Sequence, residues 1–195
     1  LPLTLLEACW HILRFRPHVV CGVGGYVTGP VIAAAWLLRK PTIIHEQNSV
    51  PGLANRKLGS LVNRVCISLV GSERYFPKNK TVLTGNPLRS QILELSTDET
   101  PVKEGVTLLV LGGSQGAHAV NRLVVDALGM KSSESLSGLQ VIHQTGAADE
   151  GWVRQAYKEQ GVDAKAAAFI NDMDKVYRRA DLGVSRAGAT TLAEL

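Results

Sequence analysis

The stretch HEQNSVPGLANR, His45 to Arg56, follows an apolar run and sets a His–Glu pair and an amide ahead of a Pro–Gly break. Side chains of these types could bind a metal, start the next helix, or line the rim of a ligand cleft. The metal reading lacks its second histidine: a His-Glu-x-x-His zinc pair requires one at position 49, which is Ser, and it requires a helix where the pattern reads as a strand end. Ser49 is instead a candidate N-cap for a helix starting near Pro51. His45, Glu46 and Asn48 remain for the cleft, although His45 fits a structural role equally well.

Three glycine-rich turns offer a second kind of chemistry: GVGGYVTGP (Gly22 to Pro30), LGGSQGA (Leu111 to Ala117) and SRAGATT (Ser185 to Thr191). Each follows an apolar run and precedes a helical pattern. Glycine lets backbone approach a ligand closely, and the first turn of the following helix presents unpaired N–H groups and partial positive charge, so phosphate or pyrophosphate is the natural guest. One such turn fits tight packing as well as anion binding, whereas three on one rim favour a ligand. None continues into Gly-Lys-Ser or Gly-Lys-Thr, which argues against a nucleoside triphosphatase. Gly22 and Gly24 lack a third glycine at position 27, GGSQG has the wrong spacing, and Gln144 stands where an NAD enzyme presents a carboxylate. A nicotinamide enzyme is therefore the weaker alternative.

The elements that must hold these turns alternate along the chain. Strand patterns at Val19–Cys21, Thr42–Ile44 and Val65–Ile67 are separated by helical patterns at about Pro30–Arg39 and from Leu53 to Val62. The polar segment Ser96–Gly105, broken by Pro and Gly, reads as a linker. The alternation then restarts with strands at Val106–Leu111, Gln140–His143, Ala166–Phe169 and Leu182–Val184, and with helices at about Ala117–Leu128, Glu150–Gln160 and Met173–Ala180. Strands separated by helices imply parallel sheets covered on both faces. The predicted fold class is α/β, two Rossmann-like doubly wound domains, both incomplete: residues 1–95, a linker at 96–105, and residues 106–195.

Composition agrees with this. A chain of 195 residues with 45% hydrophobic and 19% charged residues can bury a sizeable core and is not of disordered type. Three scattered cysteines, Cys9, Cys21 and Cys66, favour neither a disulfide framework nor a zinc site and fit a reducing compartment. A net charge of +4 suits an anionic ligand or acidic membrane surface without demanding nucleic acid. The opening LPLTLLEACWHILRFR is apolar and ends in Arg14 and Arg16, so Leu5 and Leu6 could meet lipid or core, while Trp36 is expected in the core. The absence of an initiator Met and the stop inside a helical pattern suggest a piece of a longer fold.

In order and at similar spacing, GVGGYVTGP, HEQNSVPGLANR, TGNPLRSQIL, LVLGGSQGAHAVN, HQTG, FINDM and SRAGATTLAEL resemble one family. It is that of the bacterial UDP-N-acetylglucosamine transferases of peptidoglycan synthesis, which act on undecaprenyl-pyrophosphoryl-N-acetylmuramyl-pentapeptide. The resemblance implies a GT-B architecture, with the acceptor on the first domain and the UDP-sugar mainly on the second. It also implies an inverting transfer of N-acetylglucosamine without metal or cofactor, at the cytoplasmic face of the cell membrane. Carried over by motif, Asn48 and Arg89 would contact the donor, Ser114 its diphosphate, and Ile170 the uracil through its backbone. Ala189, Thr190, Thr191, Leu192, Ala193 and Glu194 would form the helix start beneath sugar and pyrophosphate, with Glu194 accepting the ribose hydroxyls. AGATT departs from the Ser-Gly-Ala-Leu-Thr of the family, which preserves backbone contacts but weakens a role for the Thr190 side chain. The catalytic base is unassigned: the family's leading candidate lies in an upstream Gly-rich loop, Glu46 is a lesser one, and this stretch by itself is expected to be inactive. The alternatives are another sugar-nucleotide enzyme of this fold, such as a UDP-N-acetylglucosamine epimerase or lipid glucosyltransferase, or a nucleotide-binding module without chemistry.

Overall fold

The computed structural model describes residues 2–94, 105–113, 115–132 and 134–195. They fall into two compact units, Leu1–Pro87 and Leu88–Leu195. The first runs α1 (Pro2–Phe15), β1 (Val20–Gly22), α2 (Thr28–Leu37), β2 (Thr42–Glu46), α3 (Leu53–Leu58), β3 (Arg64–Ile67) and, after a 3-10 turn at Ser72–Tyr75, β4 (Thr81–Leu83). Its strands form one parallel sheet in the order β1-β2-β3-β4. Alternate residues Val20, Ile44, Val65 and Ile67 face the core, where Ala8 and Ile12 of α1 and Ile32, Ala34 and Ala35 of α2 close over them. The short strand β4 escapes the sequence reading because its three residues carry no measurable alternation.

Three local expectations change. Strand β2 continues through His45 and Glu46, so both belong to the sheet, paired in register with Cys66 and Ile67, rather than to the loop after it. Helix α3 begins at Leu53 with Gly52 as its N-cap and no side-chain cap, so Ser49 does not start it. Trp36 is 52% exposed, outside the core assigned to it, because the all-apolar α2 turns its small residues to the sheet and its C-terminal end outward. Leu5 packs against the core and Leu6 is exposed, which separates two positions the sequence left together.

The second unit runs α4 (Ser90–Leu93), β5 (Val106–Leu111), α5 (His118–Gly129), β6 (Leu139–Gln144), α6 (Glu150–Glu159), β7 (Asp163–Ala167), α7 (Met173–Arg179), β8 (Leu182–Ser185) and α8 (Ala189–Glu194). Its parallel sheet has the order β7-β6-β5-β8. Strand β5 buries Val110 toward α5 and α6 on one face, and Leu109 and Leu111 toward α4 and α7 on the other, as a doubly wound sheet requires. Ile92 of α4 sits in that second core with Ile142 and Met173. The division between units therefore falls at Pro87–Leu88 and not at residue 95, because the buried Ile92 ties α4 to the second unit. Of the expected linker, residues 96–104 lie outside the described residues.

The strand order has one consequence for function. Successive units wind outward from β5 through β6 to β7, and the chain then returns to place β8 on the other side of β5. At such a switch the loops leaving the two strands that flank it, here β5 and β8, diverge and open a crevice at the carboxyl ends of the sheet. Here those loops begin at Gly112 and Arg186, in two of the three glycine-rich turns.

Candidate functional site

A cavity of about 440 Å3 occupies this crevice, within the range of small-ligand sites. Arg89, Gly113, Gln144, Ile170, Tyr177 and Glu194 line it together with Gly188, Ala189, Thr190 and Thr191. Glu194 is its electrostatic centre. Its Oε1 accepts from Arg89 Nη2 at 3.2 Å and its Oε2 from the Tyr177 hydroxyl at 2.9 Å. A carboxylate offers about four acceptor positions, so two remain for further hydroxyl donors. Burial, followed by donation to Glu194, pushes the Tyr177 hydroxyl pKa well up, and it stays a neutral donor. In the sequence Tyr177 is only a position inside the helical pattern Met173–Ala180; its hydroxyl role depends on a partner 17 residues away.

The turns that follow β5 and β6 are pressed backbone to backbone. Gly116 has φ +79°, and a Cβ there would lie 2.1 Å from the Thr145 carbonyl oxygen; Gly146 has φ +79°, and a Cβ there would lie 2.4 Å from the Gln115 carbonyl oxygen. Only glycine permits both the conformation and the approach. Beneath them lies a buried polar chain. Asn121 Nδ2 donates to the Thr145 carbonyl and to Asp149 Oδ2, both at 2.8 Å, which leaves its Oδ1 to accept from His143 Nε2 at 3.0 Å. His143 Nδ1 then accepts from the Tyr157 hydroxyl at 2.8 Å. The network thus selects one neutral tautomer, and burial lowers the His143 pKa from 6.5 to about 4. His118, at the start of α5, holds the far side of Asp149 at 3.0 Å.

The first unit has its own cavity, of about 550 Å3, between the GVGGY turn and the HEQN turn. Glu46 anchors its wall. Oε1 accepts from the Asn48 backbone N–H at 2.9 Å and its Nδ2 at 3.0 Å; Oε2 accepts from the Gly52 N–H at 3.1 Å and Asn55 Nδ2 at 2.9 Å. Four donors without a cation saturate the carboxylate and fold the turn around it, which removes Glu46 as a candidate proton acceptor. His45 is spoken for as well: Nε2 meets the Gly85 carbonyl at 3.1 Å and Ser68 Oγ at 3.3 Å, and Nδ1 meets the Gln47 amide at 3.3 Å. Asn55, 2% exposed, leaves its Oδ1 without a hydrogen-bond partner among the described residues.

Of the residues expected to hold a donor, Arg89, Ile170, Ala189, Thr190, Thr191 and Glu194 come together around the second unit's cavity. Leu192 and Ala193 do not line it, since they fall on other faces of α8. Ser114 lies outside the described residues. Asn48 lines the first unit's cavity, its amide nitrogen committed to Glu46. Ile170, whose backbone was expected to contact uracil, donates its N–H to Gln144 Oε1 at 2.9 Å.

Two parallel-sheet α/β units, the second with a cavity at its strand-order switch, define the GT-B class of architecture. Comparison with known proteins places the chain within that class. A model of the glycosyltransferase family 28 C-terminal domain matches residues 107–195, and one of the N-terminal domain of the same family matches residues 3–67. The chain belongs to glycosyltransferase family 28. Over 195 residues it is 60% identical to a UDP-N-acetylglucosamine--N-acetylmuramyl-(pentapeptide) pyrophosphoryl-undecaprenol N-acetylglucosamine transferase of Desulfotalea psychrophila, covering 100% of this chain and 53% of that protein. The crystal structure of Acinetobacter baumannii MurG superposes with a TM-score of 0.71 at 32% identity, covering 100% of this chain and 55% of that one. A UDP-GlcNAc 2-epimerase from Neisseria meningitidis, bound to UDP-GlcNAc, shares the fold at a TM-score of 0.64 and 14% identity, with 95% of this chain and 58% of that chain covered. The chain spans about half the length of the curated relatives it matches.

Proposed function

We propose that the protein carrying this chain is an inverting N-acetylglucosaminyltransferase. It moves N-acetylglucosamine from UDP-N-acetylglucosamine to the 4-hydroxyl of the muramyl sugar of undecaprenyl-pyrophosphoryl-N-acetylmuramyl-pentapeptide. The observation that carries this reading is the second unit's cavity, where Glu194, Arg89, Tyr177 and the Gly188–Thr191 turn converge at the switch of strand order. Relatives named for that activity, 60% and 43% identical along the whole of this chain, support the choice of sugar and acceptor.

In this reading the remaining acceptor positions of Glu194 take the ribose hydroxyls. Arg89 and the amides at the start of α8 face the negative charge that grows on departing UDP, and the Ile170 carbonyl accepts from the uracil N3–H. Fixed donors aimed at a leaving diphosphate stabilise the transition state because they need no reorganisation as charge develops. The muramyl 4-hydroxyl attacks the anomeric carbon and gives up its proton; Glu46 does not take it, its oxygens being filled by Asn48, Gly52 and Asn55. The first unit's cavity is assigned to the acceptor.

A lipid-linked acceptor calls for a membrane surface, here the cytoplasmic face. No described helix is long and apolar enough to cross a membrane. Helix α1 exposes Leu3, Leu6, Trp10 and Leu13 along one stripe, followed by Arg14 and Arg16, a pattern suited to lying on anionic lipid.

The test is transfer of labelled N-acetylglucosamine to the lipid-linked acceptor by the full-length protein, compared with Glu194→Ala and Arg89→Ala. Hydrogen bonds to a charged group contribute roughly 1.5–3 kcal/mol, so Glu194→Ala should raise the donor KM by about tenfold or more. Unchanged UDP-N-acetylglucosamine affinity in both variants would refute the assignment of this cavity.

A further inference from the structure

Gln144 does something the proposed donor contacts leave out. It is 6% exposed and lines the second unit's cavity from the end of β6. Its Nε2 donates to the Gly113 carbonyl at 3.0 Å, and its Oε1 accepts from the Ile170 N–H at 2.9 Å. One primary amide therefore joins the glycine turn after β5 to the turn that follows β7. Both partners are backbone groups of fixed polarity, a carbonyl that requires a donor and an N–H that requires an acceptor. Among the uncharged side chains of this length only a carboxamide supplies both ends at once, and the amide can sit in one orientation alone.

The glycine turn gains a definite shape from this bond. Gly113 has φ +89°, and its carbonyl also accepts from the Gly116 N–H at 3.1 Å. With both lone pairs engaged, that carbonyl is held away from the role it would otherwise take, a partial negative charge beside an anionic ligand. At the other end, the bond fixes the height of the Phe169–Ile170 backbone over the sheet. The two turns stand on strands β5 and β7, which are not neighbours: β6 lies between them, and Gln144 is its last residue.

We propose that Gln144 is a positioning residue that sets the spacing between the base-side turn at Ile170 and the phosphate-side turn at Gly113, so that the site fits a nucleoside diphosphate as one rigid unit. This rests on reading the cavity as the UDP-sugar site. A ligand that spans both turns benefits from the preset distance, and a ligand that touches one turn does not. The bridge also couples the turns, since ordering one end restricts the amide and thereby the other.

The experiment is calorimetric titration of the full-length protein and its Gln144→Met variant with UDP and with uridine. Methionine keeps the length and loses both hydrogen bonds. UDP affinity should fall tenfold or more in the variant, while uridine affinity changes by no more than about threefold in either direction. An equal fall for both ligands, or none for either, overturns the proposal, because a general loss of structure does not distinguish them. Hydrogen exchange on the wild-type protein gives a second reading that needs no variant to fold. Uridine should slow exchange in the peptide carrying Gly112 and Gly113 as well as in the one carrying Phe169 and Ile170; protection confined to the latter also overturns the proposal. If the wild-type protein binds neither UDP nor uridine, the donor-site reading itself fails, and the role of Gln144 with it.

Discussion

Acid should loosen the second unit through His143. The imidazole is fully buried, accepts from Tyr157 at Nδ1 and donates to Asn121 at Nε2, so a second proton at Nδ1 would displace the Tyr157 donation and bury a charge. Burial lowers its pKa from 6.5 to about 4, against a smaller opposing pull from Asp149. The sign comes from proton counts. Between these values the unfolded chain binds a proton that the folded unit refuses, so stability rises with pH across the window and is lost as pH falls from about 6.5 toward 4. Integrating from pH 7.5 to pH 4.5 gives a loss of roughly 2–3 kcal/mol from this one group, a large share of the ~5–15 kcal/mol of an ordinary domain. Asp149 titrates lower still: the nearby Trp152 indole N–H, short of full hydrogen-bond geometry, and then the His118 and Asn121 hydrogen bonds hold its carboxyl below the usual range. It thus stays out of the window. Native-state hydrogen exchange in β5 and β6 reads the second unit separately. Protection there should fall by the stated amount between the two pH values, and much less in His143→Gln, which can keep a donor toward Asn121 without titrating. A folded-state NMR titration of His143 with a midpoint near 6.5, or an equal pH slope in the variant, would show the reasoning to be wrong.

Other perturbations separate glycines and carboxylates by what surrounds them. Gly116→Ala would drive a Cβ to 2.1 Å from the Thr145 carbonyl oxygen at φ +79° and should cost at least ~2 kcal/mol by urea unfolding. Gly151→Ala, inside α6 with nothing within 4 Å, should stabilise by roughly 0.5–1 kcal/mol in the same assay. Glu46→Gln turns an NH2 group toward two of the four donors and should destabilise the first unit by about 1–3 kcal/mol, with faster amide exchange from Asn48 to Gly52. Replacing Leu6, Trp10 and Leu13 by Ser in the full-length protein should weaken sedimentation with anionic vesicles about tenfold or more, and undiminished binding would remove α1 from the membrane contact.

The alternation of apolar runs and helical stripes belonged to the sequence alone, because side-chain period is a property of neighbours along the chain. It placed the main strands of both sheets within a few residues and exposed the glycine turns between them. Residue types in those turns also sufficed to suggest an anionic ligand, since the demand for glycine is local. Which polar groups satisfy one another was decided by the tertiary structure. Arg89 meets Glu194 across 105 residues, Gln144 meets Ile170 across 26, and Glu46 takes Asn55 nine residues on, so a residue that read as a possible base became the anchor of a turn. Exposure was decided there too. Trp36 and Leu5 lie in equally apolar runs, and only the packing of α1 and α2 on the sheet turns one outward and the other in. A hydrogen bond or a buried face needs a partner at a fixed distance in space, and composition and spacing do not contain that distance.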